Sequence, residues 1–261
     1  MLIDGKKIAE EIKESLKKEI EISGKKLKLA IVQVGENDVS KKFIERKIKF
    51  AGEIGVGTEI YNLPDNISAD ELCKKLEKIC DEENSGVILQ LPLPASPAGG
   101  PAHIDTQRAL DSVVLEKDVD VLSSRSFGGK ILTPVVGAIR EILGGRDLRG
   151  KNVVVVGAGI LVGKPATVWA MDQGAAVSVV NEFTPDISEF TKRADIIISG
   201  AGRPGLIKPE MVKEGVVIID VAGDVEPAVA KKALIFTPKI GGVGPITVAM
   251  LFKNLVELNK Y

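Results

Sequence analysis

Short apolar runs alternate with amphipathic helical stretches along most of the chain, and that alternation admits one broad solution: parallel strands joined by helical crossovers. In residues 1 to 120 the order is a helical stretch at about 5–23, the run LAIVQVG at 29–35 and a helical stretch at about 38–54. A strand near TEIYNL, a helix at about 68–81 and the apolar run GVILQL follow. The last run has no polar alternation, so its strand reads as buried on both faces. A second series opens with NVVVVG at 152–157 and continues through helical GKPATVWAMDQG, strand AVSVVN, helical ISEFTKRA and strand DIIISG. VVIID and ALIF extend that sheet, and PITVAMLFKNLVELNKY reads as one closing amphipathic helix. Between the series, TPVVGAIREILGG carries Thr133 as N-cap, Pro134 at the first helical position and Gly144-Gly145 as the stop, a helix that bridges two domains.

Two domains suit 261 residues, 44% of them apolar, because each half then falls in the usual size range and buries its own core. Thirty-five basic against thirty-six acidic residues leave no field to attract nucleic acid or an anionic membrane. No apolar run reaches the roughly 18 to 20 residues of a membrane span. The opening MLIDGKKIAEEIKESL is too polar for a signal peptide, so a cytoplasmic protein is expected. Cys73 and Cys80 share one helix face with Leu72, Leu76 and Ile79 and read as core. With one histidine, His103, which reads as a surface or capping residue, they supply no transition-metal ligand set; no metal is expected.

The turn GAGILVGKP, 157–165, lies between a strand and a helix, where glycines let backbone amides approach a diphosphate at a helix N-terminus. It departs from G-x-G-x-x-G because Gly163 comes one residue late; a tight structural turn is the alternative. Glu182 ends the next strand, nineteen residues beyond Gly163, where a Rossmann fold places the carboxylate that holds the ribose hydroxyls; a solvated strand end is the alternative.

QLPLP at 90–94 ends the buried strand of the first series, in the kind of loop where ligands bind, and Gln90 offers an amide there. A proline-bounded loop without function gives the same pattern. In KDVDVL, 117–122, Asp118 and Asp120 face the same way if the segment is extended, as an acid/base pair or as two solvated charges. Phe43 and Lys47, four apart in SKKFIERKIKF, share a helix face, which any amphipathic helix also predicts.

Together and in order, DGKKIA, SKKFIERK, QLPLP, KDVD, VGKP, IKPEMVKEGVVIIDV and TPKIGGVGPIT resemble the bifunctional methylenetetrahydrofolate dehydrogenase/methenyltetrahydrofolate cyclohydrolase family across nearly the whole chain. The resemblance implies two α/β domains flanking a cleft that holds folate. The second is a Rossmann-type nucleotide-binding domain, and the C-terminal helix returns to the first. The implied bounds are 1–134 with 245–261 for the folate-binding domain and 135–244 for the dinucleotide-binding domain. It also implies one-carbon metabolism, including purine biosynthesis, and a homodimer.

By the same resemblance Lys47 is the catalytic lysine, Gln90 its neighbour and Asp120 the carboxylate on the pterin ring. Phe43 stands where the family has a stacking tyrosine. Ser40, Leu91, Pro92, Gly241, Gly242, Pro245 and Thr247 join it as substrate-binding positions. Thr133, Gly157, Ala158, Gly159, Val162, Gly163, Lys164, Pro165, Glu182, Val221 and Ala222 are the implied cofactor-binding positions. The implied reactions are oxidation of 5,10-methylenetetrahydrofolate by a nicotinamide cofactor and hydrolysis of the methenyl product to 10-formyltetrahydrofolate. A lysine of lowered pKa suits the second step, and the first needs alignment rather than a nucleophile.

Several positions depart from the family pattern. Phe43 lacks the tyrosine hydroxyl, Val121 replaces a glycine after KDVD, TPKI replaces Thr-Pro-Val-Pro, and IDVAGDV lacks a longer loop. These departures keep two alternatives open, a catalytically impaired folate-binding or regulatory protein and a cyclohydrolase without dehydrogenase activity. In the cofactor turn Gly157-Ala158-Gly159 replaces Gly-Arg-Ser, and Asn181-Glu182 replaces His-Ser. Without that arginine, and with a carboxylate that repels a 2′-phosphate, NAD is expected in place of the family's usual NADP.

Overall fold

The computed structural model describes residues 1–94, 104–126, 129 and 131–260, with Val39 by its backbone alone. His103 lies outside them. The chain divides into two compact units, Glu11–Pro134 with Val248–Tyr261, and Met1–Glu10 with Val135–Thr247.

The first unit contains most of α1 (Gly5–Ser23), then β1 (Lys28–Val34), α2 (Asp38–Glu53), β2 (Gly57–Leu63), α3 (Ala69–Asp81), β3 (Gly86–Leu89) and α4 (Thr106–Asp111). Its strands are parallel in the order β2-β1-β3, with Ile31 opposite both Ile60 and Ile88. All four residues of β3 are buried, as a strand without alternation requires. Ser68 caps α3 in a capping box with Glu71, while Leu72, Cys73, Leu76, Ile79 and Cys80 fill its inner face. Both cysteines are therefore core residues.

The second unit begins near α5 (Pro134–Leu143), which Gly144 and Gly145 end with positive φ values of 58° and 76°. There follow β4 (Asn152–Val156), α6 (Gly163–Asp172), β5 (Ala176–Val180), α7 (Ser188–Thr191), β6 (Ile196–Ser199), β7 (Val217–Asp220) and β8 (Ile235–Phe236). They form one parallel sheet in the order β5-β4-β6-β7-β8, in which β4, the first strand, has the next strand on one side and a later one on the other. That reversal leaves a crevice at the carboxyl end of β4, where doubly wound folds bind ligands.

Residues 1–10 pack with the second unit. Leu2 makes a parallel bridge to Phe236, and the Ile3 amide donates to the Phe236 carbonyl at 2.9 Å, so the chain start extends the second sheet beyond β8. Local patterning shows a helix at 5–23 but not which core its first turn joins.

The closing helix α8 (Val243–Leu258) returns to the first unit. Leu251, Phe252, Leu255 and Val256 enter one core with Leu16, Leu29, Ile31 and Val119, and the Phe252 ring stacks on Phe50 at 5.2 Å. Burying each such side chain contributes about 1.5–3 kcal/mol. Asn254 donates to the carbonyls of Val119 and Leu132, both at 2.9 Å, fixing the helix in register. The expected amphipathic pattern gives way to burial around most of the helix: Ala249, Met250, Leu251 and Phe252 are all buried in succession. Among the described residues no helix is long and apolar enough to cross a membrane.

Candidate active site

In the first unit α2 presents Ser40, Phe43 and Lys47 at helical spacing, so they lie along one face. Lys47 Nζ donates to Gln90 Oε1 at 3.0 Å, and Gln90 Nε2 donates to the Leu91 carbonyl at 2.7 Å. The amide is thus fixed with its oxygen toward the ammonium. Leu91 and Pro92, joined by a cis peptide, continue the loop at the carboxyl end of β3, where Gln90 still pairs its amide with the Val32 carbonyl. Ser40 is buried, and its hydroxyl has no hydrogen-bond partner among the described residues. Phe43 is 41% exposed, with the Arg46 guanidinium 5.4 Å above its ring.

Burial holds the Lys47 ammonium below the ordinary lysine range, and the charge of Asp120 partly offsets that shift. Burial likewise pushes the Asp120 carboxyl up, against the pull of Lys47. The site therefore brings a lysine more easily deprotonated than usual to a carboxylate and a primary amide.

Asp118 is buried within a turn, which overturns the reading of KDVDVL as a loop that solvates two charges. Asp118 accepts from the amides of Val121 and Ser123, at 2.9 and 3.0 Å, and from the Ser126 hydroxyl at 3.0 Å. It closes a turn from beneath, while Lys117 Nζ donates to the carbonyls of Cys80 and Glu82. The turn carries Val121 at φ 56°, a left-handed conformation that costs a β-branched residue about 1–2 kcal/mol and that glycine adopts freely.

In the second unit the segment before α8 is equally constrained. Gly241 has φ 78° and accepts from the Gly5 amide at 2.8 Å, and a Cβ on Gly242 would lie 2.2 Å from the Pro238 carbonyl oxygen. Pro245 lies in the first turn of α8, and the Thr247 hydroxyl donates back to the Val243 carbonyl at 3.1 Å.

A cavity of about 760 Å³ opens at the carboxyl ends of β4, β5 and β6. Gly157, Ala158, Gly159 and Glu182 line it together with Asn181, Gly200, Ala201 and Arg203. Gly157 has φ 95°, and a Cβ on Gly163 would stand 2.0 Å from the Gly157 carbonyl oxygen, so the late glycine lets α6 close against the turn. A Cβ on Gly159 would meet nothing within 4 Å, which leaves its backbone open to a ligand. These features fit a dinucleotide: an uncovered glycine backbone at the end of β4 and a carboxylate at the next strand end. Val162, Gly163, Lys164 and Pro165 form the turn and first residues of α6 without lining the cavity, and neither Thr133, Val221 nor Ala222 lines it. Among the described residues no three His, Cys, Asp or Glu side chains gather as metal ligands.

Arg203 and Asp224 were not apparent from the sequence. Fully buried Asp224 accepts from the Ser199 hydroxyl at 2.6 Å and from the amides of Ala201 at 2.8 Å and Arg203 at 2.6 Å. It thereby holds the loop after β6, one wall of the cavity. The available signal was ISGAGRPG, a glycine-rich exit from a buried parallel strand, the same signal that marked the turn after β4.

Residues 3–120 match the catalytic domain of tetrahydrofolate dehydrogenase/cyclohydrolase, and residues 133–261 match its NAD(P)-binding domain. A bifunctional FolD protein of Hydrogenobaculum sp. is 35% identical over 280 residues, covering 99% of this chain and 98% of that one. The crystal structure of the bifunctional FolD methylenetetrahydrofolate dehydrogenase/cyclohydrolase of Campylobacter jejuni superposes with a TM-score of 0.90 at 34% identity, covering 99% and 98% of the two chains. The Trypanosoma brucei enzyme, complexed with NADP and an inhibitor, gives 0.89 at 31% identity, with 99% and 96% covered. The chain belongs to the tetrahydrofolate dehydrogenase/cyclohydrolase family.

Proposed function

We propose that this enzyme oxidises 5,10-methylenetetrahydrofolate to 5,10-methenyltetrahydrofolate with NAD, and hydrolyses the product to 10-formyltetrahydrofolate. The observation that carries the reading is the contact of Lys47 Nζ with Gln90 Oε1 at 3.0 Å, beside Asp120 and under burial that lowers the lysine's pKa. When bound, the nicotinamide supplies the hydride acceptor, leaving a methenyl cation on the folate. Lys47 in its neutral form takes a proton from the water that adds to this cation and returns one to N5 as the C–N5 bond breaks, the hydroxyl proton leaving to solvent and the formyl group staying on N10, while Gln90 keeps the amine aimed. Asp120 hydrogen-bonds the pterin, and Phe43 offers its exposed ring as a stacking face. Ser40 brings an unsatisfied buried hydroxyl to the same helix face.

Glu182 supports NAD, since it lines the cavity beside Ala158, where no arginine offsets a 2′-phosphate. Purified protein with methylenetetrahydrofolate and each cofactor in turn tests the whole reading. Absorbance of reduced nicotinamide should appear with NAD, followed by decay of methenyl absorbance. Decay of added methenyl substrate without cofactor reduction would instead make the chain a cyclohydrolase alone. The assembly we propose is a homodimer, on the family resemblance, with light scattering as its check.

A further inference from the structure

We propose that Arg203 is the cation that meets the diphosphate bridge of the dinucleotide, taking over charge that the cofactor turn itself lacks. The inference rests on the cofactor reading of the cavity but not on the choice between NAD and NADP.

The turn Gly157-Ala158-Gly159 carries no basic side chain, and Lys164 and Lys192 do not line the cavity. Arg203 does line it, and among the described residues its guanidinium has no hydrogen-bond or ion-pair partner. An arginine held at a cavity wall with its donors unspent is suited to a planar, bidentate contact with phosphate oxygens. Its backbone is fixed: buried Asp224 accepts its amide at 2.6 Å and that of Ala201 at 2.8 Å. Asp224 acts as a positioning residue, turning a loop into a defined wall.

Strand order decides which phosphate Arg203 meets. Glu182 follows β5 and Arg203 follows β6, with β4 and its glycine turn between them. Neighbouring strands lie about 4.8 Å apart, so the ends of β5 and β6 are separated by roughly 10 Å. With the ribose at Glu182, its 2′ position lies on the β5 side. A diphosphate held at the glycine turn on β4 would then lie next to the β6 loop that carries Arg203.

The test is calorimetric titration of the cofactor-free protein with ADP-ribose, NAD and NADP. R203A should weaken all three by tenfold or more and by a common factor, and R203K should recover part of the loss because it keeps charge without the fork. Loss confined to NADP would assign Arg203 to the 2′-phosphate, and unchanged ADP-ribose affinity would remove it from the cofactor altogether; either result overturns the proposal. A wild type that prefers NADP would overturn the NAD reading alone.

Discussion

The two units build their sites from different materials. In the second, much of the cavity wall is backbone: the glycine turn after β4 and the loops after β5 and β6 line it, with Glu182 and Arg203 among its charged side chains. In the first, chemistry rests on side chains from α2, from the end of β3 and from the turn at 118–121, distant in sequence and joined by a parallel sheet. A site walled by backbone is most sensitive at those glycines where an added Cβ would clash. A site whose chemistry rests on side chains fails when one group is removed.

That difference is broken most directly at Lys47. Lys47→Met keeps the length of the side chain but removes the amine, and methenyl hydrolysis should fall roughly 10²–10⁴-fold, the span of a general base. Folate affinity should change little. Hydrolysis at the wild-type rate would mean that the proton goes elsewhere.

Asp120→Asn probes the same region with a smaller effect. Folate binding should weaken by about 1.5–3 kcal/mol, the range for a hydrogen bond to a charged group. The variant also has a pH signature. The Asp120 charge raises the Lys47 pKa against the dominant effect of burial, so removing it lowers that pKa further. Hydrolysis that needs neutral Lys47 rises with pH through this value, and the rising limb should therefore move to lower pH. A limb that moves to higher pH would exclude Asp120 as the neighbouring charge.

The contrast between the units also sets how much was legible beforehand. Helical periodicity located α2 and α3, and unbroken apolar runs located β1 and β4, whose strands are buried along most of their length. The cofactor turn was readable for the same local reason. Asp118 and Asp120 were not separable, since two identical carboxylates two residues apart differ only after Val121 takes its left-handed turn. Lys47 and Gln90 gained their roles from family resemblance, their contact spanning 43 positions that no local pattern connects. The pairing of Leu2 with Phe236 and the hold of Asp224 on Arg203 were hidden likewise, being tertiary contacts.

In the second unit Glu182→Ser should shift the ratio of catalytic efficiencies with NAD and NADP by about tenfold toward NADP, since a repulsive charge is removed at the ribose. Arg203 lines the same cavity but serves both cofactors if it meets the diphosphate, so it does not cancel the shift. A wild-type preference for NADP, or an unchanged ratio in the variant, would take Glu182 out of cofactor choice.

The smallest expected effect is at Phe43, four residues before Lys47 on the same face of α2. Phe43→Tyr restores the family's hydroxyl on a ring that is already 41% exposed, so no packing is disturbed. The stacking face and the Arg46 guanidinium above it are common to both residues, and ground-state folate binding should hold within a factor of two or so. A hydroxyl near Lys47 adds a hydrogen-bond partner that orients the amine only where its proton transfer matters. Hydrolysis should therefore rise several-fold while hydride transfer stays nearly constant, a split that parallel assays of the two half-reactions resolve. Equal factors in both would mean that the ring acts through substrate placement alone. In that event the hydroxyl lost at this position has no particular bearing on the lysine.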